Sequence, residues 1–199
     1  MPYGINSITN DCYEGTTCLV NKLDIKDEKI LKQVEGNITF ARSAELEANP
    51  ISLDFDFDHY KAIHKYLFED LYIWAGAVRK IDISKKGTNF VPASDIENVA
   101  KGIFGRLKKE NYFKNKGRKD FIDEIVDFYS STNMLHPFRE GNGRTQRVFI
   151  TQLIRFCGYD FDFSNIDSDE LMIATIKSAN GDNTLLKELF SIFLFWYKI

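Results

Sequence analysis

The sequence predicts a single, mainly α-helical domain with one small β-hairpin. In most segments apolar residues recur at spacings of three and four, which is typical of the buried face of an amphipathic helix. Residues 81–91 differ, because apolar and polar residues alternate there on either side of a turn. The 199 residues include only four prolines and show no repeat or low-complexity linker, so we expect one domain over residues 1–199.

The elements follow in chain order from these patterns. Helices are predicted over residues 58–75, 95–109, 121–129, 148–157, 169–179 and from 183 to the end of the chain. Gly76 and Gly158 are the expected stops of two of them. Ile81 and Ile83 begin a lone hairpin, which turns at residues 85–88 and continues through Asn89, Phe90 and Val91.

Composition excludes several classes of protein. With a net charge of −3 and a pI of about 5.7, the chain has no global positive field that would draw it to nucleic acid or to an anionic membrane. Its three cysteines show neither metal-site spacing nor the density of a disulfide-rich secreted domain. No basic leader precedes an apolar run, and the longest apolar run is shorter than the roughly 20 residues needed to span a bilayer. We therefore expect a cytoplasmic protein without a nucleic-acid or membrane partner.

The residues suited to chemistry lie together in residues 136–147, which read His-Pro-Phe-Arg-Glu-Gly-Asn-Gly-Arg-Thr-Gln-Arg. A helix begins within this segment, and its first N–H groups and positive dipole end favour a bound phosphate. Gly141 and Gly143 would let that phosphate approach the backbone. Arg144 and Arg147 are three residues apart, so their guanidinium groups would lie on one side and bind adjacent phosphates.

Three further residues of the segment fit phosphate chemistry. Glu140 is the one carboxylate beside the predicted phosphate site and is the candidate ligand for Mg²⁺, which takes one or two carboxylates together with substrate phosphates. Asn142 could donate its amide to a phosphate oxygen as charge develops on the leaving group. His136, with an ordinary pKa of about 6.5, is largely neutral and can accept a proton from an attacking hydroxyl.

Singly, these residues have ordinary explanations. A Gly-Asn-Gly sequence is usually a turn, a pair of arginines is usually a solvated helix face, and a lone histidine is usually structural. Their combination in one short segment favours a site. Phe138 is expected to anchor the loop in the core, and His59 and His64, five residues apart, are expected to pack rather than bind a metal.

Every fixed position of the motif His-x-Phe-x-(Asp/Glu)-Gly-Asn-Gly-Arg-x-x-Arg is matched by residues 136–147, so the chain resembles the Fic family. The resemblance extends to Phe57–Arg79 and to a flap hairpin at Lys85–Phe90, and it covers about residues 20–195. It implies a helical bundle with a flap at about residues 80–92 over the active site.

The resemblance also implies an activity. The chain would be a protein adenylyltransferase that moves AMP from Mg-ATP to a Tyr, Thr or Ser hydroxyl, with His136 as general base and Glu140 as Mg²⁺ ligand. The nucleotide-binding residues would be Gly141, Asn142, Gly143, Arg144 and Arg147, together with Gly87 and Thr88 at the flap tip. The flap would bind an extended segment of the target protein by main-chain pairing.

Alternatives are transfer of UMP, phosphocholine or phosphate, or a non-catalytic module that binds peptides. Relatives of the death-on-curing type, which phosphorylate, replace the glycines that are intact here.

Many members of the family are inhibited by a helix with the pattern (Ser/Thr)-x-x-x-Glu-(Gly/Asn), whose Glu pairs with the second arginine, here Arg147. Ser43 and Glu47 have the spacing but are followed by Ala48, and Glu35-Gly36 has Leu31 at the Ser/Thr position. Ordinary helix positions explain these near matches better, so we expect any inhibitor to be a separate small antitoxin chain.

Overall fold

The computed structural model describes residues 4–5 and 11–196 of the chain. These residues form seven α-helices: α1 Glu28–Ala48, α2 Phe57–Phe68, α3 Ile96–Lys109, α4 Arg118–Leu135, α5 Asn142–Phe156, α6 Ser168–Ala179 and α7 Thr184–Phe193. They also form five short strands: β1 Gly4–Ile5, β2 Ile83–Lys85, β3 Thr88–Asn89, β4 Tyr159–Asp160 and β5 Phe195–Trp196. The predicted fold class, mainly α-helical with a small hairpin, is confirmed.

Helix α5 lies at the centre of the bundle, where it contacts α1, α2 and α4. Phe149, Leu153 and Ile154 are completely buried, and burial of each such side chain contributes about 1.5–3 kcal/mol to stability. The first turn of α5 differs, since Gly143 is exposed and Arg144 is half-buried. The surrounding helices therefore leave one end of the central helix accessible.

The hairpin forms as predicted, with a tight turn between β2 and β3. Lys86 and Gly87 both have positive φ, at 50° and 80°, which is the backbone of a type I′ turn. Strand β1 pairs with the other edge of β2, with Gly4 opposite Ser84, so the sheet has the order β1-β2-β3. The hairpin is therefore not alone, and β4 pairs with β5 in a second small sheet.

Helix α1 is not among the helices predicted from apolar spacing, because its buried positions are not uniformly apolar. Leu31 and Leu46 are buried, but so are Glu35 and Thr39 between them. Asp27 caps the helix by accepting hydrogen bonds from two backbone N–H groups of its first turn. The polar residues on its buried face indicate that α1 packs against polar groups as well as against the apolar core.

Helix α2 ends at Phe68, several residues before the predicted end at residue 75. The N–H groups of Leu71 and Tyr72 both donate to the Phe68 carbonyl, and the chain then turns back along the helix. Leu71 and Tyr72 are still buried, which produced the helix-like spacing in the sequence.

The predicted helix from residue 183 to the end is also too long. Helix α7 ends at Phe193, Leu194 is extended, and residues 195–196 form strand β5. Residues 197–199 lie outside the described residues. In the described ranges, no helix combines the length and the apolar character that crossing a bilayer requires.

Candidate active site

His136 is the residue that follows the last turn of helix α4, and it has a left-handed conformation with φ 41°. Its Nδ1 lies 3.0 Å from the carbonyl oxygen of Asn133, so Nδ1 carries the proton and Nε2 is the basic nitrogen. The ring stacks on Phe90 of the hairpin with a centroid distance of 3.7 Å. The candidate base is thus fixed in tautomer and in orientation.

The surroundings of His136 keep the ring neutral. Burial lowers its pKa to about 3; the hydrogen bond to Asn133 opposes this shift, and the positive charges of Lys85 and Arg79 add to it. The sequence suggested an ordinary value of about 6.5. The structure therefore corrects the pKa but strengthens the inference that the imidazole is uncharged at cellular pH.

Arg79 ties the histidine loop to the hairpin, and the sequence did not single it out. Its Nε donates to the His136 carbonyl at 2.8 Å, and its backbone N–H donates to the Pro137 carbonyl at 2.9 Å. The two terminal nitrogens donate to the carbonyls of Ile81 and Val91, at the two ends of the hairpin. Three of its side-chain nitrogens donate to backbone carbonyls, and such contacts leave no pattern in a sequence.

Asn142 holds the loop closed. Its side-chain Oδ1 accepts from the Phe138 N–H at 2.8 Å, and its Nδ2 donates to the Phe138 carbonyl at 2.8 Å. Asn142 therefore has a structural role in the loop, and because an amide nitrogen carries two N–H donors, its donation to a phosphate oxygen stays a prediction. Phe138 is completely buried between His64 and Tyr60, which confirms its prediction as a core anchor.

His64 packs in the core, as predicted, and also supports the loop. Its Nδ1 accepts from the Gly76 N–H at 2.8 Å, so its Nε2 is the donor to the Glu140 carbonyl at 3.1 Å. Burial lowers the pKa of His64 to about 3. His59, also buried, packs against Phe55 and Phe149, as expected of a structural histidine.

The two glycines of the motif serve different needs. Gly141 has φ 81°, and a Cβ there would overlap the Phe68 ring, so this glycine permits close packing. A Cβ at Gly143 would have only the Arg147 Nη1 within 4 Å, at 3.4 Å. Gly143 is therefore the glycine that leaves the first turn of α5 accessible to a ligand.

The two motif arginines have different partners. Arg144 turns toward α1, where it forms an ion pair with Glu35 and a 3.3 Å hydrogen bond with Thr39. Within residues 11–195, no carboxylate forms an ion pair with Arg147, whose Nη1 lies beside Gly143. Burial lowers the pKa of Arg147, but a guanidinium keeps its charge in proteins. In the part of the chain that the structure describes, Arg147 thus has no carboxylate that balances its charge.

Glu140 lies between the histidine loop and α5. Its Oε1 accepts from the Gly141 N–H at 3.0 Å and lies 3.6 Å from the Arg144 Nη2, and its side chain is 29% exposed. Residues 11–195 contain no cluster of three or more His, Cys, Asp or Glu side chains that could hold a metal. The single accessible carboxylate fits Mg²⁺ held mainly by the phosphates of a substrate.

Within the described residues, the contacts of Ser43 and Glu47 do not include Arg147. The Ser43 hydroxyl donates to the Thr39 carbonyl within α1, and Glu47 pairs with Arg155 at the far end of α5. The carboxylate that α1 brings to the motif is Glu35. The sequence offered one signal for it, the near match Glu35-Gly36.

Gly87 and Thr88 lie at the hairpin turn, where Thr88 is opposite Lys85. Phe90, which follows β3, stacks on His136, so the hairpin and the candidate base are in direct contact. The predicted flap therefore lies over the site, although its tip is formed by the exposed Lys86 and Gly87.

Comparison with known proteins agrees with this geometry. The model of the Fic/DOC family matches residues 54–154. Protein adenylyltransferase VbhT from Bartonella schoenbuchensis is 40% identical over 183 residues, which are 91% of this chain and 38% of VbhT. The Probable protein adenylyltransferase y4lH from Sinorhizobium fredii is 37% identical over 86% of this chain and 88% of its own length. The Probable protein adenylyltransferase Fic from Escherichia coli is 31% identical, over 90% and 88% of the two chains.

Two solved structures are similar over almost their whole length. BepC from Bartonella tribocorum, with bound AMPPNP, has a TM-score of 0.88 and 27% identity, over 95% of this chain and 98% of its own. The N-terminal Fic domain of a VirB-translocated Bep effector protein from Bartonella quintana, with bound ADP, has a TM-score of 0.89 and 27% identity, over 95% and 96% of the two chains.

Proposed function

The chain belongs to the Fic/DOC family, and from this premise we propose that it is a protein adenylyltransferase that transfers AMP from ATP to a hydroxyl group of a target protein. The observation that carries the proposal is a neutral, oriented His136 on the loop that leads into the first turn of α5, where Arg147 has no carboxylate partner within residues 11–195. A base and an anion site are the two requirements for attack of an alcohol on a phosphate.

The phosphates would bind at the first turn of α5. The helix there offers its unpaired N–H groups and its positive dipole end, Gly143 leaves space, and Arg147 supplies a full positive charge. BepC with AMPPNP, at 27% identity, supports a nucleotide in this fold.

The target hydroxyl would lose its proton to Nε2 of His136 while its oxygen attacks the α-phosphorus of ATP. The bond between the α-phosphorus and the bridging oxygen to the β-phosphate breaks, and pyrophosphate leaves. Because Nδ1 donates to the Asn133 carbonyl, that carbonyl also stabilises the imidazolium formed when the proton arrives.

Glu140 is the residue that would hold Mg²⁺ at this site. When bound, Mg²⁺ would supply positive charge to the triphosphate and its leaving group. The carbonyl of Glu140 accepts a hydrogen bond from His64, which fixes the backbone that carries the carboxylate.

The target protein would pair with the free edge of the hairpin. Within the described residues, β2 is paired on both sides, whereas β3 is paired only with β2. Asn89 is next to the hydrogen-bonded pair Lys85–Thr88, so in an antiparallel ladder its N–H and C=O point away from β2. An extended segment added at Asn89 would lie beside Phe90 and His136.

Control by a separate antitoxin chain is part of the proposal. The position of Glu47 on Arg155, away from Arg147, supports control from outside the chain rather than by residues 43–48.

The experiment is to incubate the purified chain and Mg²⁺ with a cell lysate and ATP labelled either at the α- or at the γ-phosphate. We expect protein bands labelled only from the α-phosphate, with mass spectrometry giving AMP on Tyr, Thr or Ser. Label from the γ-phosphate would instead mean phosphorylation. No label from either nucleotide, with UTP and phosphocholine donors also inactive, would contradict a transferase.

A further inference from the structure

Two Glu–Arg ion pairs connect helix α1 to helix α5. Glu35 pairs with Arg144 at the first turn of α5, and Glu47 pairs with Arg155 near its end, at 3.3 Å. The second pair is largely in solvent, since the side chains of Glu47 and Arg155 are 46% and 30% exposed. The Glu35 side chain is only 9% exposed and that of Arg144 is 24% exposed, so the two pairs differ mainly in the burial of the carboxylate.

The carboxylate of Glu35 is bonded at both oxygens. Oε1 accepts from Nη2 of Arg144, and Oε2 accepts from the hydroxyl of Tyr72. Thr39, one turn along α1, accepts from Nη1 of Arg144 at 3.3 Å and donates to the Glu35 carbonyl at 2.7 Å. The ring of Phe68 lies 4.8 Å from the guanidinium carbon. The guanidinium is thus held by α1 on one side and by an aromatic face on another.

Stability alone does not account for this arrangement. A buried ion pair loses so much hydration that an apolar pair of the same shape usually stabilises a protein as well or better. What the buried pair provides is a single orientation of the guanidinium fork. Because Arg144 lies in the first turn of α5, that orientation decides where its remaining N–H groups point.

We infer that Glu35 is a positioning residue for the nucleotide: held by Tyr72, it orients Arg144 so that the guanidinium presents its remaining donors to the phosphates. The inference rests on the proposed function. A carboxylate that orients a phosphate-binding cation in this way is also part of protein kinases, where a Glu pairs with the Lys that contacts the nucleotide. The two arginines then act differently. Arg147 supplies positive charge that no carboxylate within the described residues balances, and Arg144 supplies N–H donors in a fixed orientation.

The test uses Glu35→Gln, which keeps the size of the side chain and removes its charge, with Glu47→Gln as the matched control on the same two helices. Binding of a non-hydrolysable ATP analogue with Mg²⁺ is measured by calorimetry, and kcat and KM for ATP are measured separately. We expect Glu35→Gln to weaken analogue binding on the order of tenfold, as loss of a residue that orients a ligand-binding group commonly does. The KM for ATP should rise in parallel, and Glu47→Gln should match the wild type in every measurement.

A second comparison separates positioning from general destabilisation. If Glu35 acts through Arg144, Glu35→Gln should have no further effect on analogue binding in an Arg144→Ala background. Thermal melting shows which variants are folded. If Glu35→Gln does not fold, Tyr72→Phe carries the test, since it removes one hydrogen bond to the carboxylate and should weaken binding in the same direction.

The outcomes separate the two proposals. A wild-type chain that binds no analogue would contradict the proposed function. A wild-type chain that binds it, with equal binding and KM in folded Glu35→Gln and Tyr72→Phe, would overturn the inference about Glu35. Tighter binding or faster labelling in Glu35→Gln would also overturn it, because Glu35 would then compete with the phosphates for Arg144.

Discussion

At the scale of single residues, His136 and Glu140 are held by contacts that the sequence did not predict. The imidazole is buried against Phe90, and its Nδ1 is bonded to a backbone carbonyl. This hydrogen bond determines that Nε2 is the nitrogen that accepts a proton. Glu140 keeps a partly exposed carboxylate on a backbone that His64 fixes. Each residue thus has a role that a single substitution can test.

Replacing His136 by alanine should lower the rate of AMP transfer by about 10²–10⁴-fold, the usual effect of losing a general base. Binding of the ATP analogue should persist, because the phosphate site lies on α5. Rates are measured with α-labelled ATP and the identified target, and binding by calorimetry. A variant that labels at the wild-type rate would show that another group accepts the proton.

Replacing Glu140 by alanine should raise the Mg²⁺ concentration needed for half-maximal transfer, since residues 11–195 offer no cluster of metal ligands to compensate. Raised Mg²⁺ should restore part of the activity. Glu47→Ala is the control, because Glu47 is a carboxylate far from the motif. An unchanged Mg²⁺ dependence, or full wild-type activity in excess chelator, would remove Glu140 from this role.

At the scale of elements, the site is made where one helix ends, another begins and a hairpin covers the gap. Helix α4 ends at Leu135, α5 begins at Asn142, and the loop between them is held by Arg79 from one side and by Asn142 from within. The hairpin contacts this loop through Phe90. Its outer strand is short, so main-chain pairing of a target there depends on very few groups.

Replacing Asn89 by proline should therefore abolish or strongly reduce modification of the target protein while leaving nucleotide binding intact. Proline removes the outward N–H of β3 and is tolerated at a sheet edge. Asn89→Ala, which keeps the N–H, is the control and should label the target like the wild type. Equal labelling by both variants would show that the target does not pair with β3 at this residue.

At the scale of the whole molecule, all three histidines of the chain are buried, with exposures of 3% for His59, 0% for His64 and 7% for His136. Burial lowers the pKa of each, to about 3 for His64 and His136. In the unfolded chain the same groups bind protons below about pH 6.5. Protonation thus favours the unfolded state.

The free energy of unfolding should consequently fall as the pH is lowered from about 6.5 toward 3, by up to about 1.4 kcal/mol per pH unit for each histidine. The sign follows because the unfolded state binds more protons than the folded state in this range. Urea unfolding at several pH values between about 7.5 and 5 measures the slope, and His64→Gln should reduce it. A flat profile would show that the histidines are accessible to protons in the folded protein.

The sequence by itself determined only those elements and site residues that are marked by a local pattern. The position of the site, the start of α5 and the hairpin turn follow from residues that are neighbours along the chain, because backbone N–H groups, glycine conformations and side-chain periodicity act over a few residues. The anchoring role of Phe138 was also available from its place between two polar positions.

Only the tertiary structure decided which groups meet from distant parts of the chain. Glu35 and Arg144 are 109 residues apart, and Arg79 reaches the His136 carbonyl across 57 residues. The use of the Asn142 amide within its own loop depends on the fold of that loop, and the pKa of His136 depends on burial by several elements. Side chains lose hydration and form long-range pairs only when the chain is compact. The sequence therefore gives the residues of the site, whereas the folded structure determines their charge states and side-chain orientations.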